Sequence, residues 1–234
     1  MYARNVEHDG VEQELSFGVS GKLIMNVLVM YDRQTESYWS QLLGEAVEGP
    51  LAGAKLQPLA ATQTTWGEWK RLHPDTKALF TNGMGLYDTY ENYYRAGQQG
   101  VLGESRSDDR LPPKELIVGA VVEGQPVAYA HGQLAETPVV NDTVVGIPLL
   151  VVFKADTRTG LIFGREVAGR ELTFEPTDDP LEIRDQETGS VWLILTGLAL
   201  DGPLAGQSLE RLPSTSSFWF GWKDWYPETH LYGR

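Results

Sequence analysis

Glu68 lies between two tryptophans in the segment Trp66–Leu72, which makes it the carboxylate of greatest chemical interest in the chain. Trp66 and Trp69 are three residues apart, so a helix would place both indoles on one face. Apolar surroundings favour the protonated form of a carboxyl group, as a general acid requires. The alternative is an exposed glutamate in a first helical turn, where it interacts favourably with the helix dipole. Glu68 is thus a candidate catalytic acid, with Trp66, Trp69 and His73 as candidate ligand-binding residues.

Asp32 is the second candidate catalytic residue. The chain contains 32 acidic residues, and glycoside hydrolysis needs two carboxyl groups about 5 Å or about 6.5–9.5 Å apart. Asp32 comes before Thr35 and Trp39, and Asp185 comes before the same residue types later in the chain. The alternative is that both aspartates accept hydrogen bonds inside an Asp-x-x-Thr turn.

The residue types that hold metals are scarce or badly spaced. The chain has no cysteine, and no HExxH motif occurs. GxSxG, P-loop and GxGxxG motifs do not occur either, which argues against serine hydrolases, nucleotide-binding proteins and dehydrogenases. We therefore predict no metal and no cofactor. The four histidines are His8, His73, His131 and His230.

The chain contains one pattern twice, 153 positions apart. When residues 31–76 are laid on residues 184–229, 20 of the 46 aligned positions are identical. Self-similarity of this kind predicts an internal duplication. We call residues 1–80 the first copy and residues 114–234 the second copy, joined by residues 81–113 as a tyrosine-rich bridge and surface linker. The two copies are expected to form one pseudo-symmetric unit.

Residues found in one copy only are better candidates for function than residues that both copies share. Glu68 qualifies, because the matching position is Gly221. Unmatched tyrosines of the first copy and the bridge also qualify as ligand-binding residues, namely Tyr38, Tyr87, Tyr90 and Tyr93. At a seam between the copies, such rings would pack on the C–H faces of a sugar while acids accept from its hydroxyls.

Short strands are the elements that must position these residues. Runs rich in β-branched residues alternate with turn formers, as expected of a sandwich or barrel. We predict an all-β fold, barrel- or sandwich-like and internally duplicated, with one short Trp-x-x-Trp helix per copy. Each helix is expected to close one end of its sheet with two buried indoles. The runs include residues 22–31, 118–122, 139–145, 147–153 and 191–200.

The copies differ in the strands that precede the shared pattern. The second copy has predicted strands over about residues 115–163 that the first copy lacks. Exposed sheet edges favour unwanted association. The two copies could complete a shared sheet, a homo-oligomer could cover the edges, or the chain could be part of a longer gene product.

The composition excludes two classes of partner. A formal net charge of −13 argues against nucleic acid, which needs a basic surface, and against an anionic membrane surface. No apolar run is long enough to span a bilayer, and the first residues do not resemble a signal peptide. We expect a cytoplasmic location as the sequence is written, or an extracytoplasmic one if a leader has been removed.

Five motifs occur together in the chain: FGVSG at residues 17–21, GPLAG at 49–53, WGEW at 66–69, HPDT at 73–76 and FWFGW at 218–222. As a set they resemble the bacterial and archaeal family catalogued as domain of unknown function 3179. The resemblance covers most of the chain and implies no particular activity. Members of that family generally carry an upstream segment with a His-Glu pair and a Cys-Pro-Leu-Cys motif, which implies a metal. This chain has Thr137 and Pro138 at the aligned His-Glu position, so that implication does not extend to it.

Three functions are compatible with these patterns. The leading hypothesis is a binding module for a small polar or carbohydrate-like ligand held at the seam. The alternatives are a metal-independent hydrolase, most plausibly acting on glycosides with Glu68 as the acid, and a structural or scaffolding domain.

Overall fold

The computed structural model describes residues 1–78, 91–97 and 99–234. Up to residue 97 the elements are β1 Asn5–His8, β2 Val11–Glu14, β3 Phe17–Ile24, β4 Val27–Asp32, β5 Tyr38–Ser40, β6 Glu45–Glu48, α1 Trp66–Leu72 and α2 Glu91–Arg95. The next group is β7 Leu116–Val122, β8 Gln125–Ala130, α3 His131–Glu136, β9 Val139–Val144, β10 Ile147–Lys154 and β11 Thr159–Gly164. The last group is β12 Glu166–Val167, β13 Arg170–Glu171, β14 Phe174–Pro176, β15 Glu182–Asp185, β16 Val191–Leu193, β17 Leu198–Asp201, β18 Thr215–Phe218, α4 Trp219–Trp225 and β19 His230–Leu231.

The predicted all-β, sandwich-like class is confirmed. One sheet has the strand order β18-β7-β8-β19, and a second has the order β11-β10-β9. Apolar side chains from both sheets form one buried cluster, with Val118 and Tyr129 on the first sheet and Val151 and Ile162 on the second. The strands are rich in β-branched residues, which suit a pleated surface buried on one or both faces.

Two four-stranded antiparallel meanders hold the sequence pattern that occurs twice. They have the orders β3-β4-β5-β6 and β14-β15-β16-β17. In both, the register shifts at the tryptophan of the third strand, Trp39 in one and Trp192 in the other. Phe17 meets Trp39 edge to face at 5.6 Å, and Phe174 meets Trp192 in the same way at 5.8 Å.

The Asp-x-x-Thr turns at Asp32 and Asp185 are hydrogen-bonded alike. Each aspartate is fully buried and accepts from the indole Nε1 of its tryptophan at 2.9 Å. Each also accepts from the backbone N–H of its threonine at 2.6 Å and from the threonine hydroxyl at 2.9 Å. Gly49 has φ +101°, and a Cβ there would lie 2.7 Å from the Cα of Ser37. Glycine is therefore required where the chain passes the turn.

Residues 22–31 are not the single strand that their apolar run predicts. β3 ends at Ile24, and Met25 and Asn26 form a turn with φ 48° and 61° before β4 begins. Asparagine tolerates this left-handed conformation. Its side chain also donates to the carbonyl of Gly103 at 2.6 Å and accepts from the N–H of Leu102 at 2.8 Å. Contacts with residues far along the chain thus fix this turn.

The two Trp-x-x-Trp helices form as predicted but are buried to different extents. In α4, Trp219 and Trp222 are 0% and 1% exposed and pack on β7 and β8. In α1 no residue is buried, and Trp66 is 52% exposed. The expectation that both helices close a sheet with buried indoles is therefore correct for α4 and wrong for α1. The physical reason is that the sheet under α4 has no equivalent under α1 among the described residues.

Each helix also contacts the other copy. Leu72 of α1 packs against the cluster that contains Ile194 and Leu195 of the second copy. Leu42 of the first copy packs against the cluster that contains Trp219 and Trp222. The two copies thus contact each other near both helices. The predicted domain boundaries stay a prediction.

The segment predicted as a surface linker is held against α4. Asp224 accepts from the N–H groups of Ser105 and Arg106 at 2.9 and 3.0 Å. Lys223 is 1% exposed and pairs with Glu104 at 2.9 Å. Within the residues that the structure describes, no helix has the length and apolar character needed to cross a membrane.

Candidate functional site

The segment just before helix α1 makes hydrogen bonds to the second copy, and these position the helix there. The Thr159 hydroxyl donates to that of Thr64 at 2.8 Å. Arg211 donates to the hydroxyl of Thr62 at 2.8 Å and to the carbonyl of Ala61 at 2.7 Å. Burial lowers the pKa of the Arg211 guanidinium. The two acceptors offset part of the free-energy cost of burying this cation. The result is a seam between α1 and the β10–β11 hairpin.

Charged side chains from both copies meet at this seam. Glu68 lies in the first turn of α1, whose N-cap is Thr65. Its carboxylate is 2.7 Å from the Arg71 guanidinium and 3.9 Å from the Lys154 ammonium. Lys154 also binds Asp156, and this hydrogen bond lowers the pKa of the Asp156 carboxyl group. The side chains of Glu68 and Lys154 are only 10% and 11% exposed, so the pair is largely shielded from solvent.

The aromatic side chains of α1 lie beside these charges. Trp69 donates its indole Nε1–H to the Thr76 hydroxyl at 3.0 Å, and its ring contacts that of His73 with centroids 4.2 Å apart and planes tilted by 41°. In α4, Trp222 makes the matching bond to Thr229 at 2.9 Å. Trp69 therefore has a structural contact that both copies share, whereas Trp66 is an exposed indole with a buried counterpart. His73 is exposed at the end of the helix.

Asp32 lies inside a hydrogen-bonded turn, as the structural alternative to a catalytic role predicts. Burial by itself would raise the pKa of this carboxyl group. Hydrogen bonds from Trp39, Thr35 and Ser37 outweigh burial, and they lower the pKa. An aspartate that is 0% exposed and saturated with donors cannot meet a substrate without opening the turn. The geometry gives it a structural role.

The predicted tyrosines do not join the α1 cluster in the part of the chain that is described. The ring of Tyr38 lies 3.7 Å from the Lys22 ammonium on the first-copy sheet. The ring of Tyr93 lies 4.0 Å from the Lys114 ammonium, and its hydroxyl accepts from the N–H of Gly100 at 3.0 Å. Tyr87 and Tyr90 fall outside the described residues.

The seam residues that sequence reasoning missed are Arg71, Lys154 and Asp156. Arg71 could have been found from the sequence, because it follows Glu68 by three residues, a spacing that makes two side chains neighbours on a helix. Lys154 and Asp156 lie 86 and 88 positions from Glu68, and no periodicity connects such distant residues.

No metal site is evident where the structure can be described. Residues 1–78, 91–97 and 99–234 contain no group of three or more metal-ligating side chains. His131 is 8% exposed and faces Phe153 at 4.7 Å, and neither of its ring nitrogens has a hydrogen-bond partner. The separate cleft near the C-terminus is about 470 Å³ in volume and is lined partly by Arg110, Thr143 and His230.

Comparison with known proteins identifies the family. The model of the family described as "Protein of unknown function (DUF3179)" matches residues 1–229. The chain belongs to this family. This confirms the resemblance found in the sequence, and the description of the DUF3179 family assigns no activity. Among curated proteins and among solved structures, no significant match was found.

Proposed function

We propose that α1 and the β10–β11 hairpin of this DUF3179 protein bind a small polar, carbohydrate-like ligand. The observation that carries the proposal is the contrast between Trp66, which is 52% exposed, and its counterpart Trp219, which is 0% exposed. An indole exposed on a well-formed helix is available to pack on a ligand. The same helix carries Glu68 and Arg71, and Glu68 pairs with Lys154 of the second copy.

The chemistry of this surface suits a polyhydroxylated ligand. An indole face packs on the C–H groups of a sugar ring, and bidentate donors and carboxylates bind the hydroxyls. The Glu68 side chain is held in place by Arg71 and Lys154, so it would lose little conformational entropy on binding. Thr65 and His73 provide further hydrogen-bonding groups at the two ends of α1.

A glycan array followed by tryptophan fluorescence titration tests this proposal. We expect Trp66→Ala to weaken binding of the best glycan by about five- to tenfold, because aromatic packing contributes on the order of 1 kcal/mol. Tyr94→Ala is the control, since Tyr94 is 57% exposed outside the seam. If no glycan raises the melting temperature, the scaffolding alternative gains support, since a ligand that binds the folded state must stabilise it.

A second candidate function is metal-independent glycoside hydrolysis. It is favoured by one observation: the carboxylates of Glu68 and Asp156 both contact the ammonium of Lys154. Glycosidases use a pair of carboxyl groups, one as the acid and one as its partner, and these two carboxyl groups share one cation. The lowered pKa of the Asp156 carboxyl group suits the ionised partner.

Turnover of chromogenic glycosides tests the hydrolase. Glu68→Gln should reduce the rate by a factor of about 10² or more while the circular dichroism spectrum is unchanged. Glu48→Gln, at an exposed position on β6, is the control. Full activity in Glu68→Gln, or no activity in the unaltered protein, would rule out this assignment.

A further inference from the structure

The end of the β10–β11 hairpin contacts α3 with one face and α1 with the other. Successive residues of a strand point to opposite sides, so Phe153 and Lys154 at the end of β10 meet different neighbours. Phe153 belongs to the buried cluster between the two sheets, and its ring lies 4.7 Å from that of His131. Lys154 pairs with Glu68 of α1. A displacement of this hairpin end would therefore disturb both contacts.

The hairpin end fits closely against its neighbours on both sides. Gly160 lies opposite Phe153, and a Cβ at Gly160 would collide with the side chain of Val118 on β7. On the side of α1, the Thr159 hydroxyl donates to that of Thr64 at 2.8 Å. The hairpin end thus has little room to accommodate a change at α3 without moving.

The turn that joins the two strands is strained. Arg158 has φ +52°, in the left-handed region where glycine is the preferred residue. A side chain in this region costs free energy. The N–H of Arg158 reaches the carbonyl of Ala155 at 3.3 Å, which is long for such a bond. The hairpin end should therefore open more easily than the paired strands behind it.

His131 is a buried imidazole on the α3 side of this hairpin. Its side chain is 8% exposed, and neither ring nitrogen has a hydrogen-bond partner among the described residues. It is the first residue of α3, the helix end at which a positive charge is unfavourable. A neutral ring is tolerated against Phe153, whereas a charged ring in the same place would need water or a carboxylate.

The charged groups around His131 do not compensate a proton on its ring. Burial, and then the charge of Arg158, lower the pKa of the His131 imidazole to about 4. The titratable side chains on the elements packed against α3 already have partners. They are Glu115 before β7, bonded to the N–H of Gly132, Tyr129 on β8, bonded to Asp142, and Lys154 and Asp156 at the end of β10, bonded to each other.

We propose that His131 is a pH-sensitive switch for the β10–β11 hairpin, which opens away from α3 when the imidazole takes up a proton. The open form lets water reach the ring and relieves its repulsion by Arg158. Lys154 and Thr159 move away with the hairpin, so the α1 seam loses their contacts. Acid should therefore weaken ligand binding at the seam. This last consequence rests on the proposed function, whereas the opening of the hairpin does not.

Hydrogen exchange of the full chain, followed by mass spectrometry, tests the switch. After correction for the intrinsic pH dependence of amide exchange, protection at residues 153–160 should fall by about tenfold for each pH unit below about 6.5. This exchange should depend weakly on urea, because a local opening exposes little surface. If these amides show the same urea dependence as those of β4, only global unfolding exposes them, and the proposal is overturned.

His131→Phe should abolish the pH dependence of protection at residues 153–160, because phenylalanine can fill the site but cannot take up a proton. His73→Phe, at an exposed position, is the control and should keep it. An undiminished pH dependence in His131→Phe would overturn the switch. If that variant does not fold, NMR titration of the histidine rings in the unaltered protein decides. One ring should titrate near pH 4, and four midpoints near about 6.5 would overturn the proposal.

A glycan that binds the seam separates the switch from the proposed function. At a glycan concentration of about ten times its Kd, exchange at residues 153–160 should slow by about tenfold, because the ligand holds the closed form. Binding without this slowing would overturn the link between the hairpin and the seam but leave the proposed function intact. Failure of every glycan to bind would overturn the proposed function, and the exchange data would still decide whether the hairpin opens.

Discussion

At the scale of single residues, Asp32 organises its turn through donors from four groups. Its two carboxylate oxygens accept from Thr35 N–H, Thr35 hydroxyl, Ser37 N–H and Trp39 Nε1–H. Such saturation lowers the pKa of the carboxyl group although the residue is fully buried. The Asp-x-x-Thr spacing was sufficient to predict this turn. The bond from the indole was not predictable, because it depends on how β5 pairs with β4.

Replacing Asp32 should destabilise the protein without any change in a ligand site. Asp32→Ala leaves buried donors, including the Trp39 indole, without partners, and we expect the free energy of unfolding to fall by about 3 kcal/mol. Urea unfolding followed by tryptophan fluorescence measures it. Asp185→Ala should cost a similar amount, and Glu48→Ala should cost less than about 0.5 kcal/mol. A negligible loss in Asp32→Ala would contradict the structural role.

His131 is a buried imidazole without a hydrogen-bond partner. Burial, and then the charge of Arg158, lower its pKa to about 4. The unfolded chain would take up a proton near pH 6.5. Between about pH 6.5 and pH 4 the unfolded state therefore binds more protons, and stability must fall as the pH falls.

The expected pH dependence is large enough to measure. The loss should approach about 3 kcal/mol by pH 4, at about 1.4 kcal/mol for each unit of pKa difference. Urea unfolding at several pH values should show a weaker dependence in His131→Phe. His73→Phe, at an exposed position, should keep the dependence of the unaltered protein. An unchanged slope in His131→Phe would mean that other groups cause it.

At the scale of elements, α1 and α4 show how context decides burial. Both span seven residues with tryptophans at their first and fourth positions. Helix α4 lies on β7 and β8, and α1 has no such sheet beneath it where the structure is described. The presence of both helices was predictable from the spacing of their tryptophans. Their different burial was not, because it depends on distant strands.

Truncation of the first tryptophan of each helix should therefore destabilise the protein to very different extents. Trp219→Ala removes a fully buried indole, and we expect a loss of about 3–5 kcal/mol. Trp66→Ala removes a half-exposed one and should cost less than about 0.5 kcal/mol. Differential scanning calorimetry of the two variants makes the comparison. A large destabilisation by Trp66→Ala would show that this indole is structural and would weaken the ligand proposal.

The β3–β4 turn is an element that sequence reasoning missed. The run over residues 22–31 has no glycine or proline after residue 22, so its composition indicates one long strand. Met25 and Asn26 nevertheless take positive φ values. The side-chain bonds of Asn26 to Leu102 and Gly103 help to stabilise the turn, and these partners are more than 70 positions away. Local propensity carries no information about them.

At the scale of the whole molecule, the linker before β7 is part of the folded structure. Lys223 and Asp224 of α4 hold residues 104–106 by charged hydrogen bonds. The counterpart of Lys223 in the first copy is Lys70, which is exposed. The charged composition of this stretch is typical of a solvated linker, and buried ion pairing between distant segments was not visible in it.

Removing this lysine should release the linker. Lys223→Met leaves Glu104 and the carbonyl of Arg106 without their cation, a change that typically costs about 3–5 kcal/mol in a buried pair. We expect trypsin to cleave after Arg106 at least about tenfold faster than in the unaltered protein. Lys70→Met is the matched control and should be cleaved after Arg106 at the original rate. Equal protection of Arg106 in Lys223→Met would show that other contacts hold the segment.

The candidate site depends on the same long-range order. The sequence placed Glu68, Trp66, Trp69 and His73 together because they share one short helix. It could not add Lys154 or Asp156, which arrive only when α1 docks on the β10–β11 hairpin. Residues that meet across separate elements can be found only once the packing of those elements is known.

The paired Asp–Trp turns give the molecule an internal reference for experiments. Trp39 and Trp192 donate to their carboxylates over equal distances, at two places in one polypeptide. Their indole protons should have similar magnetic environments, so a change confined to one of them would report an event in that half alone. Spectroscopy on a single sample can then distinguish a local response to a bound molecule from a global loss of structure.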